Sequence, residues 1–385
     1  MLKSSALALA RGAPILQGSL RLIERDVLPP GPGEVVVRPR TAGVCGTDLQ
    51  MLRGLRGDPA MIIGHEADGV IEAIGTGVCD LSIGDEVLFN PTCPLDQSII
   101  LGHNIEGVWQ EAVTLPAIAV TGGMVRRHRV PRAPLAALVE PLAAIIYSYD
   151  ILVEVVGKLR RVAIIGGGSI GLLAAKAARL VLPSAPERVV VFHPDKRRLR
   201  WAVSRSLVSQ SETALTTCGT EDGYFDAVIV AVPRPHGPRA VSEAAIAIRE
   251  RGIIDLFGGI GSGETSEMIP GASLSSVRQA NVCGNPWPPH SAVVNDRQKR
   301  QLFITGHRGV GWPHLSRAVD LLESYPEHLS PVISHRVGLV SALPVLDKYR
   351  TSGLRSYDGE VWVKLALDIE MPNRPMESWL PRKSI

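Results

Sequence analysis

Aromatic side chains make up only 4% of this 385-residue chain. Few rings are available to sandwich a large flat ligand, and a small hydroxylated one suits the composition better. Cysteine is also sparse: five residues, at 45, 79, 93, 218 and 283, are widely spaced with no Cys-x-x-Cys. An odd, scattered set excludes a disulfide framework and points to a reducing compartment, so the expected location is cytoplasmic. Charge of one sign is missing as well, with 41 Lys and Arg against 38 Asp and Glu, a net +3. The two basic clusters, Arg126-Arg127-His128-Arg129 and Lys196-Arg197-Arg198, lack the extent and interleaved aromatics of a nucleic-acid track. No nucleic-acid partner is expected, and the first cluster reads as solvated surface. Nor is a membrane span expected, for want of a run of about 18 apolar residues. The apolar N-terminal stretch is broken by Arg11 and reads as a first strand rather than an export signal.

With 45% hydrophobic residues, the length suffices for two domains, each with its own core. From Leu20 to about Glu111, short β-branched runs (Glu34 to Val37, Gly69 to Ile74, Glu86 to Phe89) are punctuated by Pro and Gly, which predicts a mostly-β, partly barrel-like domain. An apolar helix over Leu142 to Leu152 then leads to strands at Arg161 to Ile165, Arg188 to Phe192, Phe225 to Val232, Gly252 to Phe257 and Gln301 to Thr305, separated by helical stretches. Strands alternating with helices predict a parallel, doubly wound sheet. A helix over Trp312 to Ser324 precedes extended segments near Ile333 to Val337 and Glu360 to Ala366, and the residues after Ile369 read as a loose arm. The expected division is residues 1–156 for the first part of a catalytic domain, 157–310 for a nucleotide domain, and 311–385 for a return to the first domain and a tail.

Gly166-Gly167-Gly168-Ser169-Ile170-Gly171 follows the apolar run Val162 to Ile165 and opens into the helical stretch Leu172 to Leu180. That strand, turn and helix order suits a dinucleotide pyrophosphate. Gly166 permits the turn, Gly168 lets backbone approach phosphate, Gly171 lets helix pack on strand, and the N–H groups of Ser169 and Ile170 face the charge. The next strand ends Val191-Phe192-His193-Pro194-Asp195-Lys196-Arg197-Arg198. His193 holds the place where an acid would bind the ribose hydroxyls and repel a 2′-phosphate, and Lys196, Arg197 or Arg198 could bind that phosphate; NADP is therefore favoured over NAD. The competing reading is that Asp195 contacts the ribose and the basic residues merely begin a solvated helix.

Cys45-Gly46-Thr47-Asp48, Gly64-His65-Glu66 and Val139-Glu140-Pro141-Leu142 supply a thiol, an imidazole and carboxylates, a donor set suited to an open zinc site. Taken singly, each has an ordinary explanation as a buried cysteine, a core histidine or a solvated acid. In this order, with Gly84-Asp85-Glu86-Val87 and the glycine turn, the chain resembles the zinc-containing medium-chain dehydrogenase/reductase family of the alcohol dehydrogenase superfamily, and within it the polyol (sorbitol) and threonine dehydrogenase branch. The resemblance spans roughly Gly31 to Leu367. It implies an α/β protein with a GroES-like, mostly-β catalytic domain joined to a Rossmann domain, the active site in the cleft between them, and assembly as a homodimer or homotetramer.

The resemblance further implies that Cys45, His65, Glu66 and Glu140 are catalytic and metal-binding, with the two glutamates able to exchange. Thr47 matches the hydroxyl that passes on the alcohol proton, and Asp48 the carboxylate that orients the zinc histidine. One catalytic zinc is expected and no structural zinc, because the stretch Pro91 to Asp96 carries only Cys93 where many members have four cysteines. Gln50 stands where a histidine often follows the Cys-Gly-Thr-Asp motif, which leaves the proton path open. Arg308, before Trp312-Pro313, matches a pocket arginine of polyol dehydrogenases, with a structural ion pair as the other reading, and His103 borders the same pocket. The expected activity is hydride transfer between NAD(P) and a secondary alcohol: a polyol, sugar, sugar phosphate or cyclitol. A zinc-free NADPH-dependent reductase of enones or quinones, and a nucleotide-binding protein without turnover, are the alternatives.

Overall fold

The structure, a computed structural model, describes residues 2–10, 19–215 and 223–379. Cys218 lies outside them. The chain divides into two compact units, one of Met1–Pro141 with Ala318–Ile385 and the other of Leu142–Arg317.

In the first unit, an eight-stranded sheet runs in the order Glu377–Ser378, Ile333–Gly338, Lys364–Asp368, Val35–Gly43, Glu66–Ile74, Glu86–Phe89 and Val125–Arg127, with Val113–Leu115 also paired to Val35–Gly43. Lys364–Asp368 lies antiparallel to residues 41–43, so late sequence completes a sheet built from early sequence. Val35, Val37, Val87, Leu365 and Leu367 fill the core beneath it. The N-terminal stretch is a strand, Leu2–Ala10, paired antiparallel with Ser19–Val27. The tail does more than trail after Ile369: residues 377 and 378 pair with Arg336 and His335, and the Trp379 N–H donates to the Ser334 carbonyl. Unpaired groups of an edge strand capture a polar segment that has no apolar pattern to announce it.

The second unit holds a seven-stranded sheet in the order Thr213–Ala214, Arg188–Phe192, Arg161–Ile165, Phe225–Val230, Ile248–Asp255, Gln301–Thr305 and Ala292–Asn295. All pairings are parallel except the last, in which Ala292–Asn295 runs antiparallel as an unanticipated edge strand. Numbering the six parallel strands by sequence gives the order 3-2-1-4-5-6, a doubly wound sheet that reverses direction between Arg161–Ile165 and Phe225–Val230. Ligands of open α/β sheets bind at the carboxyl end of that reversal. The strands Arg161–Ile165, Arg188–Phe192 and Gln301–Thr305 coincide with the sequence reading.

Leu135–Val156 is helical, apolar and long enough to cross a membrane by length and composition. Most of it is buried within the fold, with Leu142, Ala143, Ile146, Tyr149 and Leu152 fully so, which makes it a core helix.

Candidate active site

Strand Val35–Gly43 ends against the helix Gly46–Leu52, and Cys45 caps that helix. Asp48, in its first turn, accepts the Cys45 N–H through Oδ2 at 2.8 Å. Its other oxygen lies 3.5 Å from His65 Nδ1, too long for a good hydrogen bond but close enough to hold the ring electrostatically. Asp48 thus acts as a capping acid and faces the histidine at once. Gly64, just before His65, has φ +93°, and a Cβ there would run into the Trp109 ring; only glycine lets this turn lie under the tryptophan.

Cys45, His65 and Glu66 offer ligand atoms that all lie within 4.8 Å of one another, and they are the sole such His, Cys, Asp and Glu group among the described residues. Burial pushes the Cys45 thiol up, Glu66 adds to the push, and His65 opposes it. For His65 burial disfavours the cation, but Asp48 and then Cys45 prevail and hold the imidazole well above its usual range. Sulfur, imidazole nitrogen and carboxylate oxygen converging with protons in excess is a donor set for a borderline-soft cation, whose binding would release those protons.

Glu66 has a second attachment that the motifs did not reveal. Its carboxylate is salt-bridged to Lys364 Nζ, with both residues 1% exposed, and the ammonium also reaches the Val44 carbonyl at 3.4 Å. Gly43 leaves room for the pair, since a Cβ there would come 2.8 Å from the ammonium and 3.0 Å from the Ala137 carbonyl. Glu140, in the first turn of the helix Val139–Val156, lies outside the triplet but feels it: burial and then the Glu66 charge push its carboxyl up to about 7. The Thr47 hydroxyl makes no hydrogen bond to a described residue. Gln50 turns back on its own helix, donating to the Gly46 carbonyl at 3.4 Å.

His103 sits against the metal-ligating candidates, its ring centroid 5.4 Å from that of His65. Its Nδ1 lies 3.1 Å from Asp58 Oδ1, and Arg56 grips the same carboxylate with two bonds of 2.8 and 2.9 Å. Burial lowers the His103 pKa against the opposing bond from Asp58. At Asp58 burial works against ionisation, but the bonds from His103 and Arg56 win and hold its carboxyl well below the usual range. Sequence reading named His103 but neither partner.

In the second unit, the glycine turn stands at the carboxyl end of Arg161–Ile165. Gly166 has φ +124° and donates its N–H to the Phe192 carbonyl. Gly168 caps the helix Ser169–Val181, whose first amides, of Ser169 and Ile170, have no acceptor within the helix. Gly171 packs so closely on Gly166 and Ile164 that a side chain would not fit. The His193 ring flanks the turn, its Nδ1 accepting the Gly167 N–H at 3.3 Å, and a Cβ on Gly167 would meet both that ring and the Arg198 stem. Asp195 caps the helix Lys196–Ser204 by accepting the Arg197 N–H, so the basic residues do begin a helix. Arg308 pairs through its backbone with Val282, forms no ion pair with a described residue, and keeps Nε buried without an acceptor.

Residues 31–122 match the alcohol dehydrogenase GroES-like domain. A glucose 1-dehydrogenase from Methanocella arvoryzae is 30% identical, over 83% of this chain and 90% of its own. The chain belongs to the zinc-containing medium-chain dehydrogenase/reductase family of the alcohol dehydrogenase superfamily. Sorbitol dehydrogenase from Gallus gallus is 26% identical over 86% of this chain and 90% of its own. The solved structure of L-idonate 5-dehydrogenase from Escherichia coli superimposes with a TM-score of 0.64, covering 96% of this chain and 99% of that one at 18% identity, and so shares its fold. The protein is an NAD(P)-dependent alcohol or polyol dehydrogenase, and its chemistry is alcohol oxidoreduction.

Proposed function

We propose that this dehydrogenase is zinc-dependent, prefers NADP and interconverts a secondary alcohol of a polyol, sugar, sugar phosphate or cyclitol with its ketone or lactone. The convergence of Cys45, His65 and Glu66 ligand atoms within 4.8 Å carries the reading. Cys45 Sγ and His65 Nε2 would hold the ion, with Asp48 fixing the ring through Nδ1. Glu66 belongs to the triplet, but Lys364 already matches its charge, so the carboxylate ligand is Glu140 or exchanges between the two. A bound Zn²⁺ supplies Lewis acidity toward the substrate oxygen. Thr47 Oγ1 would accept the alcohol proton while passing its own on toward solvent.

On the nucleotide side, the Ser169 and Ile170 amides bind the pyrophosphate, while His193 and Arg198 accommodate a 2′-phosphate that an acid would repel. Arg308, a guanidinium with no carboxylate partner among the described residues, bonds substrate hydroxyls or a phosphate. Cys93 is buried beside Gly122 with its thiol on the Ile118 carbonyl, and the sequence has no other cysteine between residues 80 and 217, which supports a single zinc. The exposed edge of Ala292–Asn295 supports assembly as a homodimer or homotetramer, since such an edge invites a second chain. A zinc-free enone reductase has no use for a buried thiol, imidazole and carboxylate brought together.

The test is a panel of sugars, sugar phosphates, cyclitols and amino alcohols, followed at the nicotinamide absorbance with NAD and NADP. Turnover of a hydroxylated alcohol, faster with NADP, is expected. Cofactor binding without turnover of any panel member would refute the reading.

A further inference from the structure

Arg56, Asp58 and His103 form a closed hydrogen-bonded set with side chains 23%, 18% and 12% exposed. Charged groups this far out of water must be matched to one another, and here they are. The geometry does something more specific. Arg56 holds both Asp58 oxygens, so the carboxylate stays charged and takes the Nδ1 proton of His103. Arg56 Nη2 also lies 3.3 Å from Nδ1, but an ionised Asp58 can only accept, so the ring donates from Nδ1 and Nε2 keeps its lone pair. No described residue bonds to Nε2, and the atom is not sealed from solvent.

The backbone around the ring is equally constrained. The His103 carbonyl accepts the Ala60 N–H at 2.8 Å, and the Gly64 carbonyl accepts the Val108 N–H at 3.0 Å, so the His103 segment is tied to the residue preceding His65. The two imidazoles then lie with ring centroids 5.4 Å apart. The His103 ring therefore stands beside the metal-ligating cluster, where a substrate oxygen held by that cluster would bring its neighbouring atoms close.

We propose that His103, oriented by Asp58 and Arg56, is a specificity-determining residue whose Nε2 accepts a hydrogen bond from the hydroxyl adjacent to the reacting carbinol. The substrate class is thereby a vicinal diol or α-hydroxy hemiacetal rather than a simple secondary alcohol. This rests on the dehydrogenase reading above and adds the feature of the substrate that is recognised. An acceptor built for a hydroxyl, once covered by the bound substrate, discriminates against the analogue that lacks it.

The experiment compares D-glucose with 2-deoxy-D-glucose, and butane-2,3-diol with butan-2-ol, for the wild-type protein, His103→Ala, His103→Gln and Asp58→Ala, with zinc content measured for each. In the wild type kcat/KM favours the vicinal hydroxyl by about tenfold or more. His103→Ala abolishes most of that preference, chiefly through KM for the hydroxylated member, with zinc content unchanged. His103→Gln restores part of it, and Asp58→Ala loses it in part. Equal losses on both members of a pair, a preference that survives His103→Ala, or zinc lost with the side chain would overturn the proposal and leave His103 a structural residue. A wild-type protein inactive on all four compounds and on the sugar phosphates and cyclitols of the panel would overturn the hydroxylated-alcohol reading itself.

Discussion

Lys364 and Glu66 form a fully buried ion pair across the first unit's sheet, one on the strand Lys364–Asp368 and the other opening the strand Glu66–Ile74. Removing one partner strands a charge in a low-dielectric interior, whereas removing both does not. Lys364→Met is therefore expected to cost about 3–5 kcal/mol in denaturant unfolding, and Lys364→Met with Glu66→Gln to recover most of it. If the single variant is as stable as the double, the pair is not as described. Zinc retained in the double variant would assign the carboxylate ligand to Glu140, the outcome expected here.

His193 flanks the glycine turn and takes the Gly167 N–H. An acid at this place would meet the ribose hydroxyls and repel a 2′-phosphate. His193→Asp should shift the kcat/KM ratio toward NAD by about tenfold or more, equivalent to about 1.4 kcal/mol. An unchanged ratio would remove His193 from the cofactor argument.

Asp255, 1% exposed at the end of a central parallel strand, accepts a 2.6 Å bond from Ser148 while its other oxygen has no partner among the described residues. Burial pushes its carboxyl up to about 6, against the Ser148 bond. A carboxyl raised in the fold is more protonated folded than unfolded between about pH 4 and 6, so stability is lost as pH rises through that window. Asp255→Asn lacks this loss and should gain on the wild type by about 1–3 kcal/mol at pH 7.5 relative to pH 4.5. A stability difference that does not change with pH would contradict the assignment.

Much of the fold was legible because its signals are local. The β-branched runs at 161–165 and 188–192 lie on both-faces-buried parallel strands, and the glycine turn between strand and helix has a fixed spacing. The edge strand Ala292–Asn295 and the pairing of residues 377 and 378 were not legible, since short half-exposed segments owe their form to a neighbour's free edge.

At the site, Cys45, His65 and Glu66 were legible as types, and the structure brings them together. Lys364 left one signal, a lone charge within the apolar run Val361-Trp362-Val363-Lys364-Leu365-Ala366-Leu367, which usually means a buried partner. Arg56 and Asp58 left none, because a charged loop pair looks the same whether it is solvated or steering a histidine 45 positions away.

The central claim is that Cys45 and His65 hold a metal ion. Metal analysis of the purified protein beside Cys45→Ser, by plasma mass spectrometry after gel filtration, tests it most directly. One zinc per chain in the native protein, and loss of both zinc and turnover in Cys45→Ser with the fold intact, is the expected result. A folded, active native protein with no zinc, and none taken up when it is supplied, would contradict the account.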